Sequence, residues 1–284
     1  RVSFEFFPPK NDAMEQTLAD TITKLAPLSP DFISVTYGAG GSTRDPSKRT
    51  LAKVLEQTGV PAAAHLTCVD ATREETLGIA NDFAAAGVND IVALRGDAPK
   101  GSDGFAAHPD GFASSVDLIG ALAETGKFNI RVGAYPEAHP EAKSQAADID
   151  WLKAKLDAGA TEALTQFFFE ADTFLRFRDK CAAAGITAPI VPGILPIENW
   201  KGARKFASSC NTSIPAWLDD AFDKAERDDR SDLLATAICT ELCSDLMDEG
   251  VDALHFYTLN RPELTRDVCF ALGVTPKVDL QNVA

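Results

Sequence analysis

Short apolar runs of strand type alternate along this chain with longer segments whose apolar positions recur every three or four residues. The first run, Val2-Ser3-Phe4-Glu5-Phe6-Phe7, is rich in β-compatible residues and is stopped by Pro8 and Pro9. Asn11 or Asp12 then caps a helix carrying Met14, Leu18, Ile22 and Leu25, ended near Pro27. Residues 32–37 form the next strand, and a turn, Gly38-Ala39-Gly40-Gly41, leads to a helix through Leu51, Val54 and Leu55. The unit then recurs. Strands are predicted over 61–68, 90–94, 129–135, 163–169 and 190–194, with helices over 72–86, 112–125, 142–158 and 171–184. Helical segments over 198–208, 215–226 and 232–249 precede a last strand, 253–259, and Pro262 opens a final helix ending near Gly273. The tail beyond Thr275 reads as a weakly structured terminus.

Eight strands alternating with helices imply an α/β fold with a parallel sheet. Eight such units close most naturally into a (β/α)₈ TIM barrel with an extra helix before the last strand. The rival is an open doubly wound sheet, which the missing G-x-G-x-x-G after the first strand disfavours. No internal linker divides the 284 residues, so one catalytic domain over 1–284 is expected.

Composition narrows the partners. The formal charge of −15 argues against nucleic acid or an anionic membrane surface, and leaves a small-molecule substrate. Six cysteines show neither a paired framework nor a C-x-x-C motif, which suits free thiols in a reducing cytoplasm. Cys239 and Cys243 share a helix face but lack companions for a metal site, so no metal is expected. No apolar run approaches membrane-spanning length and no signal peptide is evident. The chain opens at Arg1 directly before a strand, so a native segment is expected to precede it.

A barrel carries its chemistry at the C-terminal ends of its strands. Those positions here are Glu5, Thr36-Tyr37, His65, Arg95-Gly96-Asp97, Tyr135, Gln166 and Asn260-Arg261. A Glu among aromatics in a buried strand is expected to be neutral and able to donate a proton; the alternative is a Glu paired with a distant cation or left at an edge. The helix after the fifth strand bears Asp148, Trp151 and Lys155 about a turn apart. Carboxylate, flat ring and cation suit a ribose hydroxyl, an aromatic ring and a phosphate, although an ordinary surface helix would look the same. G-x-S-x-G, H-E-x-x-H and P-loop motifs are missing, and no predicted strand carries a Lys for Schiff-base chemistry. Cofactor redox chemistry fits this inventory best.

Eight motifs, in order along nearly the whole chain, make the protein closely resemble the methylenetetrahydrofolate reductase family. They are Ser3-Phe4-Glu5-Phe6-Phe7-Pro8-Pro9, Val35-Thr36-Tyr37-Gly38-Ala39, His65-Leu66-Thr67-Cys68, Leu94-Arg95-Gly96-Asp97, Tyr135-Pro136-Glu137-Ala138-His139-Pro140-Glu141, Thr165-Gln166-Phe167-Phe168-Phe169, Pro192-Gly193-Ile194-Leu195-Pro196 and His255-Phe256-Tyr257-Thr258-Leu259-Asn260-Arg261. The resemblance implies a flavin-dependent (β/α)₈ barrel, FAD as cofactor, and NADH or NADPH as electron donor. The implied reaction is ping-pong reduction of 5,10-methylenetetrahydrofolate to 5-methyltetrahydrofolate, which feeds methionine synthesis.

The same resemblance implies roles. Glu5 is the general acid for opening the folate's five-membered ring, and Asp97 faces flavin and folate and stabilises the iminium cation. Gln166 binds pterin or nicotinamide in turn, Arg261 is the folate-side cation, Phe206 contacts the nicotinamide nucleotide, and Phe174 stands where the family often has a Tyr near the substrate. Flavin-contacting positions are Thr36, Tyr37, Ala39, His65, Arg95, Gly96, Asp97, Phe112, Ala113, Tyr135, His139, Ala142, Asp148, Trp151 and Lys155. Two of these depart from the bacterial pattern, with Trp151 in place of an Asn and Phe112 in place of a Tyr, which puts particular hydrogen bonds there in question. A homo-oligomer is implied, without the regulatory domain of the animal enzymes. A flavin or folate carrier and a lyase on a similar barrel are the readings from other classes. Retention of Glu5, Asp97 and Gln166 together argues against the carrier, and the lyase predicts a colourless protein.

Overall fold

Main-chain pairing turns the hydrophobic pattern into the expected alternation, with the paired strands all parallel. In this computed structural model residues 1–37, 44–97 and 105–276 are described. The strands are β1 (Val2–Phe6), β2 (Ile33–Val35), β3 (Ala62–Thr67), β4 (Asp90–Leu94), β5 (Asn129–Ala134), β6 (Glu162–Thr165), β7 (Ile190–Val191), β8 (Gly193–Ile194) and β9 (Leu254–Tyr257). The helices are α1 (Asp12–Leu25), α2 (Arg44–Thr58), α3 (Arg73–Ala85), α4 (Ser115–Glu124), α5 (Gln145–Asp157), α6 (Ala171–Ala183), α7 (Trp200–Ser209), α8 (Ala216–Arg227), α9 (Ser231–Asp248) and α10 (Pro262–Ala271). Residues 38–43, and with them the Gly-rich turn and Ala39, lie outside the described residues, as do 98–104 and the tail from 277.

The strands follow one another round a nearly closed TIM-type barrel in the order β7-β6-β5-β4-β3-β2-β1-β9-β8. β1 sits between β2 and β9, with Glu5 in register with Ser34 on one side and Tyr257 on the other. The expected seventh strand, 190–194, is split. β7 pairs with β6 and β8 pairs with β9, and the break falls at Pro192, which has no N–H for a ladder bond. That is why nine strands stand where eight are predicted. Three helices, α7, α8 and α9, stand before the last strand where one would complete the unit, so the insertion amounts to two helices.

Helix starts follow local chemistry. Asn11, Ser114, Ser144 and Asn199 each cap a helix by accepting a backbone N–H, and Thr72 forms a reciprocal capping box with Glu75. Phe4 and Phe6 point away from the barrel axis into the layer between sheet and helices, where Leu18, Ile22, Phe256 and Val268 are also buried. Full burial of such side chains contributes roughly 1.5–3 kcal/mol each. Inside the barrel a smaller cluster of Phe32, Ala63, Val92, Leu164, Val191 and Ala253 fills the lower part.

The floor is polar as well as apolar. Arg131 is 9% exposed, pairs through Nη1 with Asp90 and through Nε with Glu162 Oε2 at 2.7 Å, and stacks its guanidinium 3.8 Å from the centroid of Phe32. Phe32 in turn stacks on His255, with ring centroids 5.5 Å apart. The packed floor leaves the C-terminal ends of the strands as the open face of the barrel.

Candidate active site

On β1 the two-residue period of a strand sends Ser3 and Glu5 inward while Phe4 and Phe6 go outward. Glu5 therefore stands among polar rings and not among the phenylalanines. His65 Nε2 lies 3.3 Å from Glu5 Oε2, and His255 Nε2 lies 4.0 Å from the same oxygen. Neither imidazole is aligned as a full hydrogen bond, so both ring nitrogens keep bonding capacity in reserve. Ser3 Oγ sits 2.8 Å from His255 Nδ1 and so fixes the ring from its other side. Burial pushes the Glu5 carboxyl up, but the imidazoles of His255 and His65 outweigh it and bring the group down to about 2. This corrects the expectation of a neutral acid: the two imidazoles hold Glu5 ionised. Burial penalises the charge here too, but a buried group stays ionised where the groups facing it outweigh that penalty.

A cleft of about 320 Å³ opens where β4 and β5 end against α5, lined by Arg95, Tyr135, His139, Ala142, Asp148, Trp151 and Lys155 among others. Seven positions named on the sequence as cofactor contacts thus meet in one place. Arg95 pairs with Glu141 Oε2 at 2.6 Å, not with its neighbour Asp97, and holds that carboxyl below its usual range. Its guanidinium also lies over the Phe105 ring. Asp148 Oδ2 accepts from the His139 backbone N–H at 2.8 Å, which ties the loop after β5 to α5. Tyr135 packs edge-on against His139; burial raises the Tyr135 phenol to about 12 and lowers the His139 imidazole.

Lys155 decides against an ordinary surface helix. Its side chain is 7% exposed and Nζ donates to the Gly133 carbonyl, while Trp151 on the same helix is 46% exposed along the cleft. Burial brings the Lys155 ammonium down to about 8. An amine with three N–H donors and one carbonyl partner has donors to spare for an anion. A half-exposed indole, a carboxylate and a desolvated amine fit the ring, ribose and phosphate portions of a flavin nucleotide. Gly96 has φ +91, and a Cβ there would come within 2.6 Å of Val69, so the turn between Arg95 and Asp97 admits only glycine.

A second cleft on the same face is lined by Phe7, Leu195, Pro196, Glu198, Phe206, Leu259 and Arg261. Arg261 Nη1 pairs with Glu198 Oε2 at 3.1 Å, and burial raises the Glu198 carboxyl despite that cation. Phe206 is 41% exposed and stacks on Phe167 with centroids 5.2 Å apart. Gln166 lies one residue beyond β6, not within a strand over 163–169 as the apolar run suggests. Its amide oxygen accepts from the Phe167 N–H at 3.1 Å, which leaves the NH₂ end available to a ligand. Asp97 is exposed at the exit of β4, close enough to Tyr135 and Cys210 to raise both.

Two named positions are fully buried away from both clefts. Phe174 is fully buried on α6, stacked on Phe168 at 5.6 Å, and faces the gap near Arg1, Glu162 and Ile190 at the other end of the barrel. Its apolar spacing on the helix makes it core, which corrects its reading as a substrate contact. Phe112 is also fully buried, before α4 and not in it, with the Arg73 guanidinium 4.6 Å over its ring. Ala113 is exposed beside it; Thr36, whose carbonyl accepts from Ser47 Oγ at 3.0 Å, and Tyr37 stand at the exit of β2. Ala142 falls in the loop before α5 rather than in the helix.

Sequence reading missed Ser3, His255 and Tyr257. Each lies at an inward position of β1 or β9, and only the pairing of those two strands across 251 to 253 residues brings them to Glu5. All six cysteines are free thiols, and among the described residues no helix is long and apolar enough to cross a membrane.

The sequence profile of the family described as methylenetetrahydrofolate reductase matches residues 1–273. The 5,10-methylenetetrahydrofolate reductases of Salmonella typhimurium and Escherichia coli K12 are each 49% identical over 276 residues, covering 97% of this chain and 91% of theirs. Methylenetetrahydrofolate reductase (NADH) 1 of Arabidopsis thaliana is 36% identical and covers 96% of this chain, which spans 48% of that longer protein. Among solved structures, an uncharacterized Clostridium thermocellum protein that binds two copies of 5-methyl-5,6,7,8-tetrahydrofolic acid matches with TM-score 0.64 at 14% identity, over 96% of this chain and 94% of its own. A 2,3-dimethylmalate lyase matches with TM-score 0.54 at 11% identity, over 99% of this chain and 85% of its own. These two likenesses concern the fold alone.

Proposed function

The chain belongs to the methylenetetrahydrofolate reductase family, and from that premise we propose a flavin-dependent reductase that takes electrons from NADH or NADPH and passes them to 5,10-methylenetetrahydrofolate. The reduction of methylenetetrahydrofolate itself follows from family membership. The observation that carries it is the convergence of Arg95, Tyr135, His139, Asp148, Trp151 and the buried Lys155 on one cleft where β4 and β5 end. FAD bound there supplies the hydride relay between nicotinamide and folate. Asp148, Trp151 and Lys155 would hold its ribose, ring and phosphate portions, and Gly96 would keep the wall at the β4 exit close. Phe206, Gln166 and Arg261 position the folate and nicotinamide ligands on the side of the second cleft.

Glu5 manages the proton. A tertiary amine nitrogen leaves poorly until it is protonated, so opening the folate ring needs a donor at the end of β1. The carboxylate is 20% exposed and faces His65 at 3.3 Å. Substrate covering it removes the remaining water and raises the cost of its charge, which draws a proton onto the carboxyl from the imidazole side. Asp97 faces the folate from β4, where its charge stabilises the iminium cation that ring opening leaves.

The visible spectrum of purified protein tests the whole reading. An oxidised-flavin spectrum should bleach on anaerobic addition of NADH or NADPH and return on addition of methylenetetrahydrofolate. A colourless protein that binds no added FAD would overturn it.

Asp97→Asn separates charge from shape. Loss of a carboxylate beside the flavin should raise its reduction potential, yet folate reduction should slow by roughly ten- to a hundredfold because the iminium loses its counter-charge. Potentiometry and a folate-reduction time course read the two halves. A lower potential in the variant would mean that Asp97 does not face the flavin.

Lys155→Ala should speed flavin dissociation by roughly ten- to a hundredfold, the worth of a charge-assisted contact out of full solvent. The wild-type protein should also bind flavin more weakly as pH rises past 8, because the Lys155 amine sits at about 8 and must take up a proton to meet an anion. That pH dependence should vanish in the variant. Dissociation rates that match wild type at every pH would return Lys155 to a purely structural role.

A further inference from the structure

The barrel has a seam. β6 bonds only to the first half of the seventh strand, at Ala163 with Ile190 and Leu164 with Val191, while Gly193 and Ile194 bond to β9. Above Pro192 the edge of β6 therefore faces β8 without a main-chain ladder. The gap is bridged by side chains. Gly193 N donates to Thr165 Oγ1 at 2.9 Å, and the Tyr257 phenol donates to the Thr165 carbonyl at 2.6 Å. A hydroxyl thus replaces the backbone acceptor, and a phenol replaces the backbone donor.

The crossing requires glycine at 193. A Cβ there would lie 2.1 Å from Thr165 O and 2.5 Å from Tyr257 Cε2, contacts that side-chain movement could not relieve at the carbonyl. The latch also joins two functional positions. Tyr257 is in register with Glu5 on the neighbouring strand, and Thr165 immediately precedes Gln166, whose own N–H is held by the Ala134 carbonyl at 2.8 Å. Burial and the nearby Glu5 carboxylate both raise the Tyr257 phenol well above its ordinary range, so it remains a donor at any working pH.

We infer that Tyr257 is a positioning residue for ring recognition, acting through Thr165 to fix the height and orientation of Gln166 across the barrel seam. The inference rests on the assignment of Gln166 to folate binding. The ring of Tyr257 fills the notch that Gly193 leaves open, and its hydroxyl pins the last carbonyl of β6. Without the hydroxyl, the last carbonyl of β6 loses its phenol donor, and the exit is held by Gln166 N, by the Thr165 side chain and by Thr212 Oγ1 on the Phe167 carbonyl. A loosened exit misplaces the carboxamide by tenths of an ångström, enough to weaken a hydrogen bond to a ligand ring.

Tyr257→Phe keeps the ring and removes one oxygen, so the fold is retained while the latch is cut. Steady-state assays should show the KM for methylenetetrahydrofolate rising roughly three- to tenfold with kcat little changed, the mark of lost ground-state and transition-state binding together. Thr165→Val, which removes the hydroxyl acceptor for Gly193 N, should move KM in the same direction. In a Gln166→Ala background the Tyr257→Phe effect should fall below about twofold, since residues acting through one another are not additive. A Tyr257→Phe effect that multiplies in full with Gln166→Ala would overturn the inference, because a general structural loss is independent of Gln166. So would an unaltered folate KM in Tyr257→Phe beside an impaired Gln166→Ala. An unaltered folate KM in Gln166→Ala itself would instead remove the assignment on which the inference rests.

Discussion

Glu5→Gln will keep bound flavin and near-normal reduction by the nicotinamide nucleotide while losing roughly 10²–10⁴-fold in folate reduction, the usual cost of a positioned general acid. Hydride transfer from nicotinamide to flavin moves no proton through a side chain, so the first half-reaction has no use for Glu5. Ring opening does, and glutamine preserves shape and one acceptor but carries no acidic proton. The surroundings favour a clean result. Glu5 packs against His65, with His255 and Tyr257 on the neighbouring strand, and Thr258 Oγ1 donates to its backbone carbonyl at 2.7 Å, so the side chain is replaced without disturbing β1.

The same substitution has a signature in stability. The folded-state carboxyl lies at about 2, below its ordinary value of 4.5, so its contribution is present in full above pH 4.5 and is lost as pH falls towards 2. Acid unfolding of Glu5→Gln should lack that part of the wild-type slope. Anaerobic rapid mixing of each half-reaction is the deciding measurement. Equal slowing of both halves would make Glu5 a flavin-positioning or structural residue.

Arg131→Ala should destabilise the fold by about 3–5 kcal/mol, the cost of removing one partner from a buried charge network. The guanidinium joins Asp90 at the start of β4 to Glu162 at the start of β6 and lies over the Phe32 ring. Its loss leaves two carboxylates facing each other on the barrel floor, with side chains only 20% and 14% exposed. Asp90 retains the Asn129 amide at 2.8 Å, which softens but does not replace the cation. Total stabilities of about 5–15 kcal/mol make this a large fraction of what holds the protein together. Chemical denaturation measures it, and combining Arg131→Leu with Asp90→Asn and Glu162→Gln should recover much of the loss by removing the unpaired charges. A loss under about 1 kcal/mol for Arg131→Ala would show the floor to be open to water.

The outline of the fold was readable from local pattern. Asn11, Thr72, Ser114 and Ser144 cap helices near the predicted starts, and the alternation of β1 separates Ser3 and Glu5 from Phe4 and Phe6 without any tertiary contact. Even the broken seventh strand had a visible signal, since Pro192 sits within an apolar run that otherwise reads as continuous. The run Thr165-Gln166-Phe167-Phe168-Phe169 misled for the opposite reason. Three phenylalanines suit a strand, yet they leave the sheet to pack beneath α6 and α7, against Phe174 and Phe206.

What the chain determined by itself were the properties set by near neighbours: strand and helix periods, caps, and the strand-end positions where chemistry had to lie. Asp148, Trp151 and Lys155 belong to that class, because three residues within two turns of one helix share a side whatever the helix packs against. The tertiary structure alone decided which distant groups face one another and how wet they are. The ionisation of Glu5 depends on His65 and His255, 60 and 250 residues away, delivered by strand pairings that no local pattern encodes. The burial of Lys155, the loss of Phe174 to the core and the Tyr257 latch depend likewise on barrel closure. A pKa and a hydrogen bond are set by distance through space and by the water left between groups, and only the closed fold fixes either.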